Sequence, residues 1–416
     1  MDAGTIYLTL ILVILTGSYL LTFFVEWLNM AHAAVELPKE FEGYYDAERY
    51  RTSQRYLKEH TRATLLFDGV FLAVTLVFIL AGGFNSLDLF ARRFGYGEIG
   101  TGLIFTFILA GASQLLSLPF SAYRTFVIEQ KYGFNRTTLK TFILDHVKSW
   151  VITAIVGGAV FSAVLWLFMK RGAEAWLYSW AILVIFQLVF QFIAPVLIMP
   201  LFNKFVPLQE GELKEALENY ARKEGFKLKG MYTMDGSKRS TKSNAFFTGF
   251  GRFRRIVLFD TLIAKHTVDE LVSVLAHEMG HYKKKHILKF LMISIATTGV
   301  TLFLLSLFIN NPGLFAAFKM ERLSVYASFT FFGFLYAPLS MFLSVAANAI
   351  SRKYEYESDA YAVRTYGKPD AMIVALKKLS VDNLSNLTPH PLKVFLEYSH
   401  PPVLRRIYAI RRLTQE

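Results

Sequence analysis

Apolar residues gather in seven long runs: approximately Thr5–Val25, Thr64–Gly83, Thr101–Leu118, Trp150–Met169, Trp176–Leu197, Ile287–Ile309 and Ser324–Ile350. A helix rises about 1.5 Å per residue, so roughly 20 apolar residues cross a bilayer core of about 30 Å. Each run is therefore predicted to be a membrane-spanning helix. The third is the shortest, and Gln114 and Pro119 blur its end. The last is longer than a span requires, so its final turns are expected to protrude from the membrane. Two segments, Asn203–His286 and Ser351–Glu416, are large enough to fold outside the bilayer. The pattern divides the chain into residues 1–202 with five spans, 203–286 outside, 287–350 with two spans, and 351–416 outside.

The first run is not read as a cleaved signal peptide. Its flank, Met-Asp-Ala-Gly, carries no Lys or Arg, and its apolar stretch is too long. A retained helix is expected, although Ala31-His32-Ala33 resembles a cleavage site. Basic residues alternate between loops. Those after the first, third and fifth spans and the C-terminal tail hold 6, 5, 16 and 11 Lys plus Arg, against 2 in each of the others. The positive-inside rule then places the N-terminus outside (or in the lumen) and the C-terminus in the cytosol. Both extramembrane segments fall on the cytosolic side.

Composition fits this reading. Hydrophobic residues make up 54% and charged residues 19%, against roughly a quarter charged in soluble domains; mean hydropathy is +0.37. The formal charge of +13 is absorbed by the loop asymmetry, which argues against a nucleic-acid partner. The absence of cysteine excludes disulfides, a thiol nucleophile and thiolate metal ligands. Asp68, Gln114, Gln187, Gln191 and Asn348 lie within the runs. Such groups line cavities or bond between helices, and Asp68, the most costly in lipid, is expected to face an interior.

The candidate chemistry begins at His277-Glu278-Met-Gly-His281. Residues i and i+4 share one helix face, so both imidazoles can reach one metal ion, and Glu278 sits where it can polarise a bound water. Thr267-Val-Asp-Glu270 is a capping-box pattern that starts the helix, and Leu271, Val274, Leu275 and Met279 give it an apolar face. Gly280 is a poor helix former and suggests close approach by another element. A hydrolytic zinc site needs a third protein ligand and an open position. Two spans later the chain returns to the same membrane side as Ser351-Arg-Lys-Tyr-Glu355-Tyr-Glu-Ser-Asp359. Glu355 and Asp359 share a face: Glu355 can ligate, and Asp359 can accept from the outer nitrogen of a ligand histidine. Glu357 lies on another face.

Further segments accompany this pattern: Gln130-Lys-Tyr-Gly-Phe-Asn135, Pro200-Leu-Phe-Asn-Lys-Phe205, Ser243-Asn-Ala-Phe-Phe247, Arg255-Ile-Val-Leu-Phe-Asp-Thr-Leu262 and Ser399-His-Pro-Pro402. With them the chain resembles the integral-membrane CAAX prenyl proteases, zinc endopeptidases related to the a-factor-converting enzyme and the prelamin A protease. The resemblance implies an all-α polytopic bundle of seven helices around a hollow chamber, with a small α+β zincin-like metalloprotease domain. It implies one zinc ion on His277, His281 and Glu355, with Asp359 behind them. It implies that His400 and Arg406 approach the scissile carbonyl and stabilise its oxyanion.

Ser243–Phe250 alternates weakly and leads through Gly249 and Gly251 to a strand over Arg255–Asp260, a hairpin pattern just before the motif helix. Its free edge can take an extended peptide as an added strand, and the resemblance gives that role to Asn244, Ala245, Phe246 and Phe247. His286 closes a basic run, Lys283-Lys-Lys-His286, which reads as an interfacial anchor. The expected partners are the lipid bilayer and a prenylated or membrane-associated peptide, in the endoplasmic reticulum of a eukaryote or the inner membrane of a prokaryote. Two competing readings remain at this stage. One is a quality-control membrane protease without prenyl specificity; the other is a seven-helix transporter or receptor, which predicts no metal.

Overall fold

The computed structural model describes residues 1–34, 36–226, 229–248 and 255–415. Among the described residues, seven helices are long and apolar enough to cross a membrane. The first five are α1 (Ala3–His32), α2 (Ala47–Leu80), α3 (Gly97–Glu129), α4 (Leu139–Arg171) and α5 (Ala175–Phe202). Pro119 does not end the third span. The helix passes through it and continues as a π-helical turn over Arg124–Glu129, because bundle neighbours and local widening tolerate the missing backbone donor. Similar turns interrupt α4 at Thr153–Gly157 and α5 at Ala194–Ile198.

After α5 the chain builds a four-stranded sheet of β1 (Phe205–Pro207), β2 (Gly230–Met234), β3 (Ala245–Thr248) and β4 (Arg255–Phe259), in the order β1-β2-β4-β3. The hairpin expected from the alternation is present: β3 runs antiparallel to β4, with Ala245 opposite Leu258 and Phe247 opposite Ile256. Its turn, with Gly249 and Gly251, lies outside the described residues. β1, with three residues, is too short to carry a periodic signal; β2 lies parallel to β4. Helix α6 (Glu212–Lys223) and helix α7 (Val268–Lys283) pack on this sheet. Their common core holds Leu217, Tyr220, Ile256, Leu258, Leu271, Leu275 and Met279.

Helix α8 (His286–Phe308) then enters the membrane, and α9 (Val325–Tyr366) returns. At 42 residues, α9 is the longest helix described. Its protruding turns continue unbroken beyond Ile350 and lie against α7. Helix α10 (Pro369–Asp382) and helix α11 (Val403–Leu413) close the extramembrane end. There Phe41 and Tyr45 from the first loop and Tyr50 from the first turn of α2 pack on Met372, Ile373, Ile407 and Ile410. Arg239 ties the sheet region to the spans, donating to both oxygens of Asp145 on α4 at 2.8 and 3.0 Å.

The spans do not pack into a solid bundle. A mostly apolar cavity of about 1210 Å³ lies among α1, α2, α3 and α9, lined by Tyr19, Phe67, Phe71, Leu109 and Phe334. Asp68 faces it, as its cost in lipid required. Gln187 instead joins helices, donating to Ser294 Oγ at 2.7 Å, and Asn348 donates to the Leu396 carbonyl at 3.1 Å.

Candidate metal centre

The capping box at the start of α7 is formed. Thr267 Oγ1 accepts from the Glu270 amide, and the Glu270 carboxylate accepts from the Thr267 amide. This fixes the first turn, ten residues before His277. One face of α7 is buried on the sheet; the other meets α9. The contact runs through Gly280, where a Cβ would stand 2.9 Å from Ser358 Cα and 3.1 Å from its carbonyl oxygen. The glycine is thus a close-approach site between helices. Ser358 lies between Glu355 and Asp359 along α9, so the approach presses that face against the histidines.

Three side chains converge as a result. His277 Nε2 stands 3.2 Å from His281 Nε2 and 3.4 Å from Glu355 Oε2, and His281 Nε2 stands 3.2 Å from Glu355 Oε1. A tetrahedral ion with ligands at about 2.0–2.1 Å places them about 3.3 Å apart, so these separations fit one ion. Glu355 Oε2 is buried and accepts no hydrogen bond. Its neighbours His277 Nε2 and Arg406 Nη1 stand back at 3.4 Å, longer than an ordinary hydrogen bond, and a cation between the three groups would give it a direct partner.

Asp359 does not join the three. Its Oδ1 accepts from His277 Nδ1 at 2.8 Å, which leaves Nε2 of that ring to face the cluster. Asp359 is itself gripped by Arg406, Nε to Oδ2 at 2.8 Å and Nη2 to Oδ1 at 2.6 Å. Arg406 Nη1 also lies 3.4 Å from Glu355 Oε2. Buried guanidinium groups require anionic partners, and here the two carboxylates of α9 engage it rather than leaving it turned to open space. His400 is different: its side chain is 63% exposed, and Nε2 reaches within 3.3 Å of Glu355 Oε1. Ser399 Oγ lies 2.9 Å from its Nδ1.

Electrostatics divides the groups further. Burial pushes the Glu278 carboxyl above the usual carboxylate range, against the pull of His277 and His281. Burial works against a charged His277, but Asp359 and Glu355 outweigh it and hold the ring up at about 9.

The sheet lies beside the centre. β3 is an edge strand, paired on one side only among the described residues. Asn244 precedes it and its carbonyl accepts from Phe259 N at 3.1 Å. Phe246 packs on Phe259 and Phe247 on Phe226. Ser243 is held by Asn383, whose Oδ1 accepts its amide at 3.2 Å.

His286 departs from the sequence reading. Read as an interfacial anchor with the lysines before it, it is instead withdrawn from the surface, 1% exposed and stacked on Tyr354 with ring centroids 4.0 Å apart. Its nitrogens face His281 and Glu357. Sequence spacing hid this, because positions i and i+5 do not share a helix face and the neighbouring lysines supplied a ready alternative.

Two histidines and a glutamate converge where they could hold one metal ion, beside a further carboxylate and at the foot of a membrane bundle. The class is a membrane-embedded metallopeptidase. Comparison with known proteins agrees: residues 26–204 match the family described as "CAAX prenyl protease N-terminal, five membrane helices", and residues 207–414 match "Peptidase family M48". The chain belongs to this family. It is 36% identical to "CAAX prenyl protease 1 homolog" of Arabidopsis thaliana, over 90% of each chain. It is 33% identical to "CAAX prenyl protease 1" of Saccharomyces cerevisiae, over 92% of this chain and 90% of that one. The crystal structure of S. mikatae Ste24p superposes with a TM-score of 0.92 at 32% identity, covering 97% of this chain and 99% of that one.

Proposed function

We propose that the chain is a zinc-dependent endopeptidase that cuts near the C-terminus of prenylated CAAX-type proteins. The observation that carries the reading is the convergence of His277, His281 and Glu355 within 4.8 Å of one another, with Glu278 between the two histidines. The relatives' names supply the substrate class, and the apolar cavity among the spans suits an isoprenoid tail. A zinc ion held by these three residues supplies Lewis acidity toward the scissile carbonyl and its attacking water.

The chain's own residues do the rest. Glu278 takes the proton of the attacking water and delivers it to the leaving amine, a role suited to a carboxyl whose pKa is raised by burial. Asp359 fixes the tautomer and orientation of His277. His400, on the open side, donates to the carbonyl oxygen as its charge develops. Arg406 acts as a positioning residue through Asp359, since its guanidinium is engaged there. The free edge of β3, with Asn244, Ala245, Phe246 and Phe247, aligns the substrate as an added strand. The basic loops face the cytosol and the N-terminus lies outside or in the lumen, in the endoplasmic reticulum of a eukaryote or the inner membrane of a prokaryote.

A pair of peptides of identical sequence, one prenylated and one not, tests the substrate class. The prenylated peptide should be cut with the higher kcat/KM, and the Glu278→Ala protein should cut neither. Equal cleavage of both peptides replaces this reading with a membrane protease that has no prenyl specificity.

A further inference from the structure

We propose that His286 is a positioning residue for the metal centre: it holds the ligand His281 by its outer nitrogen and connects it to the carboxylate of Glu357. The inference rests on the reading of His277, His281 and Glu355 as metal ligands. His286 Nδ1 lies 3.2 Å from His281 Nδ1, and His286 Nε2 lies 3.0 Å from Glu357 Oε2.

Only one assignment of protons satisfies the whole chain of contacts. A His281 that ligates through Nε2 carries its proton on Nδ1 and must donate from there. The acceptor at that position is Nδ1 of His286, which therefore carries its own proton on Nε2. That proton is donated to Glu357. Both rings are neutral, each donor has one acceptor, and the series ends on a carboxylate. Ligand histidines are ordinarily held in this way by a carboxylate or carbonyl; here an imidazole is interposed.

The surroundings fix the interposed ring. His286 lies parallel to Tyr354, at an interplanar angle of 4°, and Phe290 meets the edge of Tyr354 at 5.2 Å. Lys289 sits over the Tyr354 ring, and Lys353 lies 3.9 Å from Glu357. The backbone is bent to permit the contact. In a continuous helix, position i+5 points about 140° away from position i. Lys285, with φ 59°, breaks the helix between α7 and α8 and turns His286 back toward His281. Lys285 stands at the C′ position of α7, where a left-handed residue is a common helix stop, and here that stop sets the direction in which His286 starts α8.

The test separates hydrogen bonding from packing. His286→Phe keeps a ring on Tyr354 and removes both nitrogens. Zinc affinity is measured on the purified full chain by competition with a chelator, beside kcat and KM for the prenylated peptide. The expected result is a loss of zinc affinity of roughly 10–100-fold, with kcat reduced, KM unchanged and the thermal unfolding of the metal-free protein unchanged. Glu357→Gln, at the half-exposed end, is the second variant and should weaken zinc by roughly 3-fold, a charged acceptor being about twice as strong as a neutral one. Wild-type zinc affinity in both variants overturns the proposal and leaves the metal centre standing. A wild-type protein that binds no zinc overturns the metal centre, and this inference with it.

Discussion

The two histidines of α7 sit one helical turn apart, yet their surroundings are built differently. His277 is buried and meets a carboxylate directly; Asp359 is 1% exposed and gripped by a buried Arg406. His281 is half-buried and meets another imidazole, which leads to Glu357 at the half-exposed edge of α9. One side is a dry ion pair; the other is a neutral relay that opens toward solvent. Electrostatic effects grow as water is excluded, so the His277 side should carry most of the centre's energetic penalty when disturbed. The His281 side should tune metal retention with little effect on the fold.

Asp359→Asn breaks the comparison most severely. It removes the carboxylate that makes both close contacts to the buried Arg406 and leaves only Glu355 Oε2 at 3.4 Å; disruption of such a pair costs up to about 3–5 kcal/mol. The expected result is a large drop in the thermal midpoint even without metal, as well as loss of zinc. Glu357→Gln should leave the metal-free midpoint unmoved. Equal shifts in the two variants would remove the distinction between the sides.

Gly280→Ala disturbs both sides at once. Its Cβ would meet backbone atoms of Ser358 at 2.9 and 3.1 Å, so α9 must move, and overpacking of this kind costs about 1–3 kcal/mol. Zinc affinity and activity should fall together. A variant that keeps both would show that the helices have room the close contact denies.

Proton competition is the smallest effect and reports the His277 side. In the metal-free protein that ring is held up at about 9 by Asp359 and Glu355, so at neutral pH it carries a proton that zinc must displace. Affinity should therefore rise with pH, by up to about tenfold per unit between roughly 7 and 9. An affinity that stays flat over this range in the wild-type protein would assign the proton elsewhere.

Much of this was legible in the sequence, for identifiable reasons. The spans were readable because about 20 apolar residues in a row have few other uses. His277, Glu278 and His281 were readable because they lie within one helical turn. Glu355 and Asp359 became readable by counting spans, which returned them to the correct side, and α9 runs unbroken from bilayer to site. What escaped was tertiary. The engagement of Arg406 by Asp359 joins residues 47 apart in the chain. The role of His286 depends on one left-handed residue at Lys285, and no periodicity reports a backbone break. β1, at three residues, was too short to be distinguished from loop.

The most direct test of the central claim is metal content and turnover measured on the same preparations of wild-type protein and Glu278→Ala. Both should hold one zinc per chain, and turnover should fall by at least about 10²–10⁴ in the variant alone. Full turnover in Glu278→Ala, or a wild-type protein that is active without bound metal, would contradict the account.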